Sequence, residues 1–269
     1  MIVKRMRIRS DPNLAVLATV DGWPINIATI DQAVVEIVQA AKRKENFAAF
    51  TLNLDHLVKL RADGRFRDAY EKARFVTADG APIARLASQQ GSRIERTTGA
   101  DLLVPLTEAC ARETVPIYLF GTTDDVLART GLELAQRTDF KLNIAGTASP
   151  ERDFDPEGAA ADAALEQIKA SGARLCFIAL GAPKQEIFAA RAVEQGVDVG
   201  FVCIGAALDF IAGAQARAPE VMRKNGLEWL WRLGTNPVRL GGRYARCALV
   251  LAELTLLGPR KGVISHDRP

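Results

Sequence analysis

Short apolar runs that alternate with longer amphipathic stretches constrain this chain more than any other feature. Phe47-Ala-Ala-Phe-Thr-Leu52 is the first clear run, and residues 74–77, 116–120, 141–145, 175–180 and 199–204 repeat the theme. Between them, helical patterns are expected over 31–43 (capped by Asp31), 55–73, 81–90, 101–113, 124–138, 156–170 and 183–195. Runs apolar on both faces belong in a parallel sheet covered by helices on both sides. The expected fold is therefore α/β, a Rossmann-like, mostly parallel sheet with helices on both faces. Residues 15–19 and 24–28, around Asp21-Gly22, predict a hairpin at the edge of that sheet.

The alternation stops after Gly213. From Arg217 to Lys261 there are nine Lys/Arg against three Glu, whereas the whole chain carries only +3. In Gly226-Leu-Glu-Trp-Leu-Trp-Arg-Leu233, apolar anchors interleave with arginine, and Arg239, Arg243 and Arg246 recur at the spacing of one helix face. Such a segment suits a membrane face, a phosphorylated ligand, or both, while an amphipathic helix docked on its own domain explains the pattern as well. The division predicted is a core over 1–213 and a helical, basic, membrane-proximal appendage over 214–269.

Composition excludes several classes. No run approaches the roughly 18 uncharged apolar residues of a spanning helix; the best candidate, 247–257, contains Glu253. Basic Met1–Ser10 is followed by no apolar stretch, so no signal peptide is expected. Cys110, Cys176, Cys203 and Cys247 form no Cys-x-x-Cys pair and read as buried thiols in a reducing cytosol. Two histidines, His56 and His266, exclude a histidine-rich metal site. Neither Gly-x-Gly-x-x-Gly nor a Walker phosphate loop occurs, which weakens a nicotinamide oxidoreductase reading. The basic residues are not striped with stacking aromatics, so nucleic acid is not an expected partner.

In open α/β sheets ligands lie beyond the carboxyl ends of the strands. Thr51 and Asn53 alternate at one such end, although Asn53 also suits a helix cap. Asp79, in Thr77-Ala-Asp-Gly-Ala-Pro82, can take a proton from an attacking hydroxyl or cap the helix that Pro82 opens. Arg96, before Gly99-Ala-Asp101, can hold a phosphate or sit solvated. In Gly181-Ala-Pro-Lys-Gln-Glu186, Pro183 at the first helical position leaves backbone N–H groups free, and Lys184 and Gln185 add donors. Asp209, in Gly205–Gly213, suits a ribose or a uracil-like edge, though a tight turn needs the same glycines. Asp153-Phe-Asp155 offers oxygens to a divalent ion, but its place before Pro156 favours a helix-start cap instead.

Taken together, Thr51-Leu-Asn53, Ala78-Asp-Gly80, Arg96 with Gly99-Ala-Asp101, Gly181–Glu186, Gly205–Gly213, Arg217-Ala-Pro219 and Gly226–Leu233 running on to Pro237, Arg239 and Arg243-Tyr244 resemble the WecG/TagA/CpsF glycosyltransferases, glycosyltransferase family 26. The likeness covers roughly residues 47–246 and departs from the family around 146–157. It implies an inverting transferase, with no cofactor and no required metal, that moves a hexose or N-acetylhexosamine from a UDP-sugar donor to a polyprenyl-diphosphate-linked saccharide acceptor in bacterial surface polysaccharide synthesis. Asp79 would be the base, and Thr51, Asn53, Arg96, Lys184 and Gln185 would line the pocket. Asp209 would meet the nucleoside, and Arg232, Arg239 and Arg243 the diphosphate. The resemblance places the protein in the cytoplasm, peripheral on the inner face of the cell membrane, and leaves homo-oligomerisation open. The alternative is a non-catalytic, membrane-recruited nucleotide-sugar-binding scaffold.

Overall fold

A computed structural model of the chain describes residues 14–256. The basic Met1–Ser10 segment and the end of the expected appendage, 257–269, lie outside the described residues. The elements follow in the order β1 (Ala18–Val20), β2 (Trp23–Ile25), α1 (Ile30–Lys42), β3 (Phe47–Leu52), α2 (Leu54–Ala62), α3 (Gly64–Tyr70), β4 (Ala73–Ala78), α4 (Ala81–Ser88) and α5 (Gly99–Arg112). Then come β5 (Ile117–Gly121), α6 (Asp124–Arg137), β6 (Ile144–Ala148), α7 (Ala159–Ala170), β7 (Leu175–Ala179), α8 (Lys184–Glu194), β8 (Gly200–Cys203) and α9 (Ala207–Ile211). Helices α10 (Glu220–Lys224), α11 (Glu228–Thr235) and α12 (Pro237–Leu256) close the described chain.

Six strands form one parallel sheet in the order β4-β3-β8-β7-β5-β6. Strands β3, β5, β7 and β8 are buried throughout, and their side chains alternate between two cores. Phe50, Leu52, Cys176 and Ile178 pack under α2, α3, α4, α7 and α8, with Leu57, Phe66, Ile83, Leu165 and Phe188. Phe47, Ala49, Leu175 and Phe177 pack under α1, α5, α6 and α9, with Ile37, Leu103, Leu127 and Leu208. Each such large side chain contributes about 1.5–3 kcal/mol on burial, so burial on both faces fixes the register of these strands.

The hairpin forms a separate antiparallel pair, β1 with β2. It leads to the edge of the main sheet, where Asn26 accepts from the Val76 amide at 2.8 Å and donates to the Arg74 carbonyl at 2.7 Å. That side chain satisfies β4 backbone groups that would otherwise face solvent.

Several element limits differ from expectation. The single helix expected over 55–73 is two helices, because Asp63 turns extended and its carboxylate caps α3 at the Arg65 and Phe66 amides. Thr29, not Asp31, caps α1. Strand β6 begins three residues late: Asp139 and Phe140 take positive φ, and their amides close the end of α6 onto Gln136 and Ala135. Helix α7 begins at Ala159 rather than 156 because Asp155 first turns the chain, accepting from the Glu157 amide at 3.0 Å. Pro183 precedes α8 instead of opening it, following a cis peptide bond.

The final helix lies along α2, and its Val250 and Leu254 enter the core beneath that helix. Arg61 of α2 binds Asp21 and Glu253 at 2.7 Å each, and Arg243 of α12 reaches Asp55 at 2.9 Å. Among the described residues, no helix is long and apolar enough to cross a membrane.

Candidate active site

Adjacent strands β3 and β8 send their following helices to opposite faces, α2 under one core and α9 under the other. A crevice opens at the carboxyl ends of strands that diverge in this way. Beside it, β3 and β4 run in register, Thr51 opposite Thr77 and Leu52 opposite Ala78. The Asp79 amide continues the ladder to the Leu52 carbonyl at 2.8 Å, so the carboxylate emerges where the sheet stops.

Thr51 Oγ1 and Asn53 Nδ2 both donate to Asp79 Oδ2, at 3.4 and 3.2 Å. Asn53 also caps α2, its Oδ1 accepting from the His56 amide at 2.9 Å. The two readings of Asn53 are thus one device: the cap orients the amide so that its NH2 faces the carboxylate. Asp79 does not cap α4. That helix starts from Gly80, at φ 90, with no side-chain cap bond. Enclosure pushes the Asp79 pKa up to about 6; the Asn53 bond and the Arg232 and Arg96 charges oppose this, while the Glu228 charge adds to it. A group poised near neutrality suits general-base work.

Arg96 is held beside Asp79 because its backbone bridges to Ala78. Its guanidinium meets Asp101 Oδ2 at 3.0 Å, and Arg217 takes Asp101 Oδ1. Gly99 is required here, since a Cβ would lie 2.6 Å from the Ile204 Cα. From the tail, Arg232 pairs with Glu228 at 2.7 Å. Arg232, Arg239 and Arg243 line one concavity with Asn236 and Tyr244. Arg246 is exposed outside it. The Arg243 Nε is buried without an acceptor.

Lys184 is half-buried, with Nζ 3.5 Å from the Arg152 carbonyl. Gln185 is buried and spends its amide on the frame: Oε1 accepts from Gly205 N at 3.1 Å, and Nε2 donates to Glu186 at 2.8 Å. Asp209 accepts from Thr122 Oγ1 at 3.0 Å. Gly181 and Gly205 flank this end of the crevice with positive φ and no atoms where a Cβ would stand, which leaves room for a flat ring.

A cavity of about 540 Å³ lies at the carboxyl ends of β5 and β6, against Phe154 and the alanines of α7. Glu151, Asp153 and Asp155 line it. Their charge repels phosphate, so volume is a poorer guide here than the basic crevice around Asp79. Among the described residues, no group of three or more His, Cys, Asp or Glu is arranged to hold a metal ion.

The profile of the Glycosyl transferase WecG/TagA/CpsF family matches residues 18–261, spanning the crevice and the arginine-bearing helices alike. The chain belongs to this family. As a WecG/TagA/CpsF glycosyltransferase it acts in cell-surface polysaccharide synthesis.

Beneath Asp79 this glycosyltransferase carries a buried polar group that sequence reading missed. His56 Nδ1 lies 2.6 Å from the Tyr70 hydroxyl, which donates to the Thr51 carbonyl at 3.4 Å. His56 Nε2 is 3.8 Å from Glu186 Oε1. Burial, chiefly, drives the His56 pKa down to about 3 and that of Glu186 up to about 7. Glu186 belongs to Gly181–Glu186, where its place beside Lys184 and Gln185 gives no sign of its burial. Nothing in the spacing of His56 and Tyr70 points to it.

Proposed function

We propose that the protein is an inverting glycosyltransferase that moves a hexose or N-acetylhexosamine from a UDP-sugar to a polyprenyl-diphosphate-linked saccharide. The observation that carries the reading is an enclosed carboxylate at the strand ends, Asp79, oriented by Thr51 and Asn53 and faced by the guanidiniums of Arg96 and Arg232. Asp79 takes the proton of the acceptor hydroxyl as its oxygen attacks the anomeric carbon. The bond to the UDP β-phosphate oxygen breaks on the opposite face, and its electron pair leaves with UDP. One in-line attack needs one base. Charge growing on the departing diphosphate falls to Arg232, Arg239 and Arg243, which do here what a divalent cation does in other transferases. Asp209 and the open glycines receive the nucleoside, with Lys184 near the phosphates and Gln185 fixing the pocket wall.

Membrane attachment on the cytoplasmic face is part of the same proposal. Exposed Trp229, Leu230, Val238, Leu249 and Leu256 stand beside the tail arginines, a composition suited to an anionic interface. The core at 1–213 then supplies the base and the nucleoside pocket, and the segment from 214 supplies the diphosphate arginines and meets the membrane that carries the acceptor.

The test is UDP release from a panel of UDP-sugars with a lipid-linked acceptor, for the natural protein and for Asp79→Asn. One donor should support turnover, and the variant should lose on the order of 10²–10⁴-fold in kcat while still binding UDP. Near-normal turnover in the variant rejects Asp79 as the base. Silence with every donor favours the non-catalytic scaffold.

A further inference from the structure

Gly99-Ala-Asp101 and Arg217-Ala-Pro219 have no part in the chemistry proposed for Asp79. In the fold they meet. Asp101 is largely enclosed and both its oxygens are engaged: Oδ2 takes Arg96 at 3.0 Å and the Thr98 hydroxyl at 2.9 Å, while Oδ1 takes Arg217. These contacts pull the Asp101 carboxyl below its ordinary range despite burial. The Arg217 guanidinium also lies 5.8 Å from the Phe210 ring centroid, and Arg232 lies 5.6 Å from the same ring. Phe210 is half-buried at the mouth of the crevice, one residue after Asp209.

We infer that Asp101, Arg217 and Phe210 form a bridge between core and tail whose task is to set Arg96 and Arg232 as the two jaws of one diphosphate site. The inference rests on the glycosyltransferase reading for the identity of the ligand, but the bridge itself is a matter of geometry. Arg96 comes from the core beside β4, and Arg232 from α11. Glu228 holds Arg232 at 2.7 Å from the same helix, so that pair does not tie the guanidinium to the core, whereas the Phe210 ring does. An aromatic face attracts a guanidinium without neutralising it, so Phe210 can position Arg232 without adding to the charge that Glu228 already takes. Among the described residues, a phosphate then has only that one paired carboxylate to compete with. Asp101 shares a single negative charge between Arg96 and Arg217, so the pair keeps a net positive charge. The Arg217 Nε, buried without an acceptor, is a further donor held at this junction. These three are positioning residues: they hold the groups that would touch the ligand.

The experiment titrates inorganic pyrophosphate into the full-length protein and into Phe210→Leu, Phe210→Tyr and Asp101→Asn, with thermal melting of each and UDP-sugar turnover run in parallel. Removing the ring should weaken pyrophosphate by about tenfold, and Tyr, which keeps a π face, should restore binding to within about threefold. Asp101→Asn should weaken it comparably, and Phe210→Leu/Asp101→Asn should lose little more than either single change, because both break one bridge. A merely structural role would lower the melting temperature of Phe210→Leu and Phe210→Tyr without this rescue pattern, and that result overturns the inference. Unchanged pyrophosphate affinity in Phe210→Leu and Asp101→Asn overturns it too, as does a natural protein that turns over a UDP-sugar yet ignores pyrophosphate. If no UDP-sugar is turned over, the transferase reading fails by itself, and the pyrophosphate comparison still decides the bridge.

Discussion

Asp79 illustrates how a single side chain is tuned by its enclosure. Its pKa of about 6 exceeds the ordinary 3.8, so between those values the folded protein binds more protons there than the unfolded chain. Stability contributed at this site is therefore full below about pH 4 and falls as pH rises toward 6. Glu186 acts in the same direction between 4.5 and about 7, and His56, depressed from 6.5 to about 3, in the opposite one. Asp79→Asn should be more stable than the natural protein by roughly 1–2 kcal/mol at pH 8 and no more stable at pH 4. Denaturant unfolding at the two pH values measures this, and an equal gap at both would sink the assignment. A base must be ionised, so kcat/KM should climb tenfold per pH unit below about 6 and level above it. A profile flat from pH 5 to 8 contradicts that role for Asp79.

Helix ends decide more of the site than helix bodies. The Thr98–Asp101 capping box starts α5 and at the same time supplies the carboxylate that Arg96 and Arg217 share. The Asn53 cap likewise starts α2 and aims an amide at Asp79. Between α2 and α3, Asp63 has the cap role alone. Asp63→Ala should therefore lower stability by about 1 kcal/mol and leave kcat and KM unchanged. Chemical denaturation paired with kinetics checks the separation; a fall in kcat would place the α2–α3 break in the catalytic frame.

At the scale of the whole molecule, α12 is bound to the core on one side and open on the other. Val250 and Leu254 are buried on α2, while Leu249 and Leu256 are 71% and 81% exposed. Val238, 98% exposed, opens the same helix. Vesicles containing anionic lipid should retain the protein at low salt and release it progressively as ionic strength shortens the screening length. Leu249→Glu with Val238→Glu should weaken that retention by about tenfold or more, each loss of apolar contact being compounded by charge repulsion. Equal sedimentation of natural and substituted protein would exclude this face as the lipid contact.

The chain order of strands and helices, the parallel sheet and the strand-end position of Asp79 were all legible in the sequence. Two-sided burial writes a continuous apolar run, and Gly and Pro mark where the chain must turn. The break at Asp63 and the late start of β6 were not, because a cap and a left-handed turn override helix and strand propensity over only one or two residues. The site's wiring was also hidden. Asp101 with Arg217, Arg243 with Asp55, and His56 with Glu186 are separated by 116, 188 and 130 positions. Local pattern records the periodicity with which a segment meets the core. Which charge faces which is settled only when distant segments pack, since electrostatic partnership depends on distance in space and on enclosure, neither of which sequence spacing encodes.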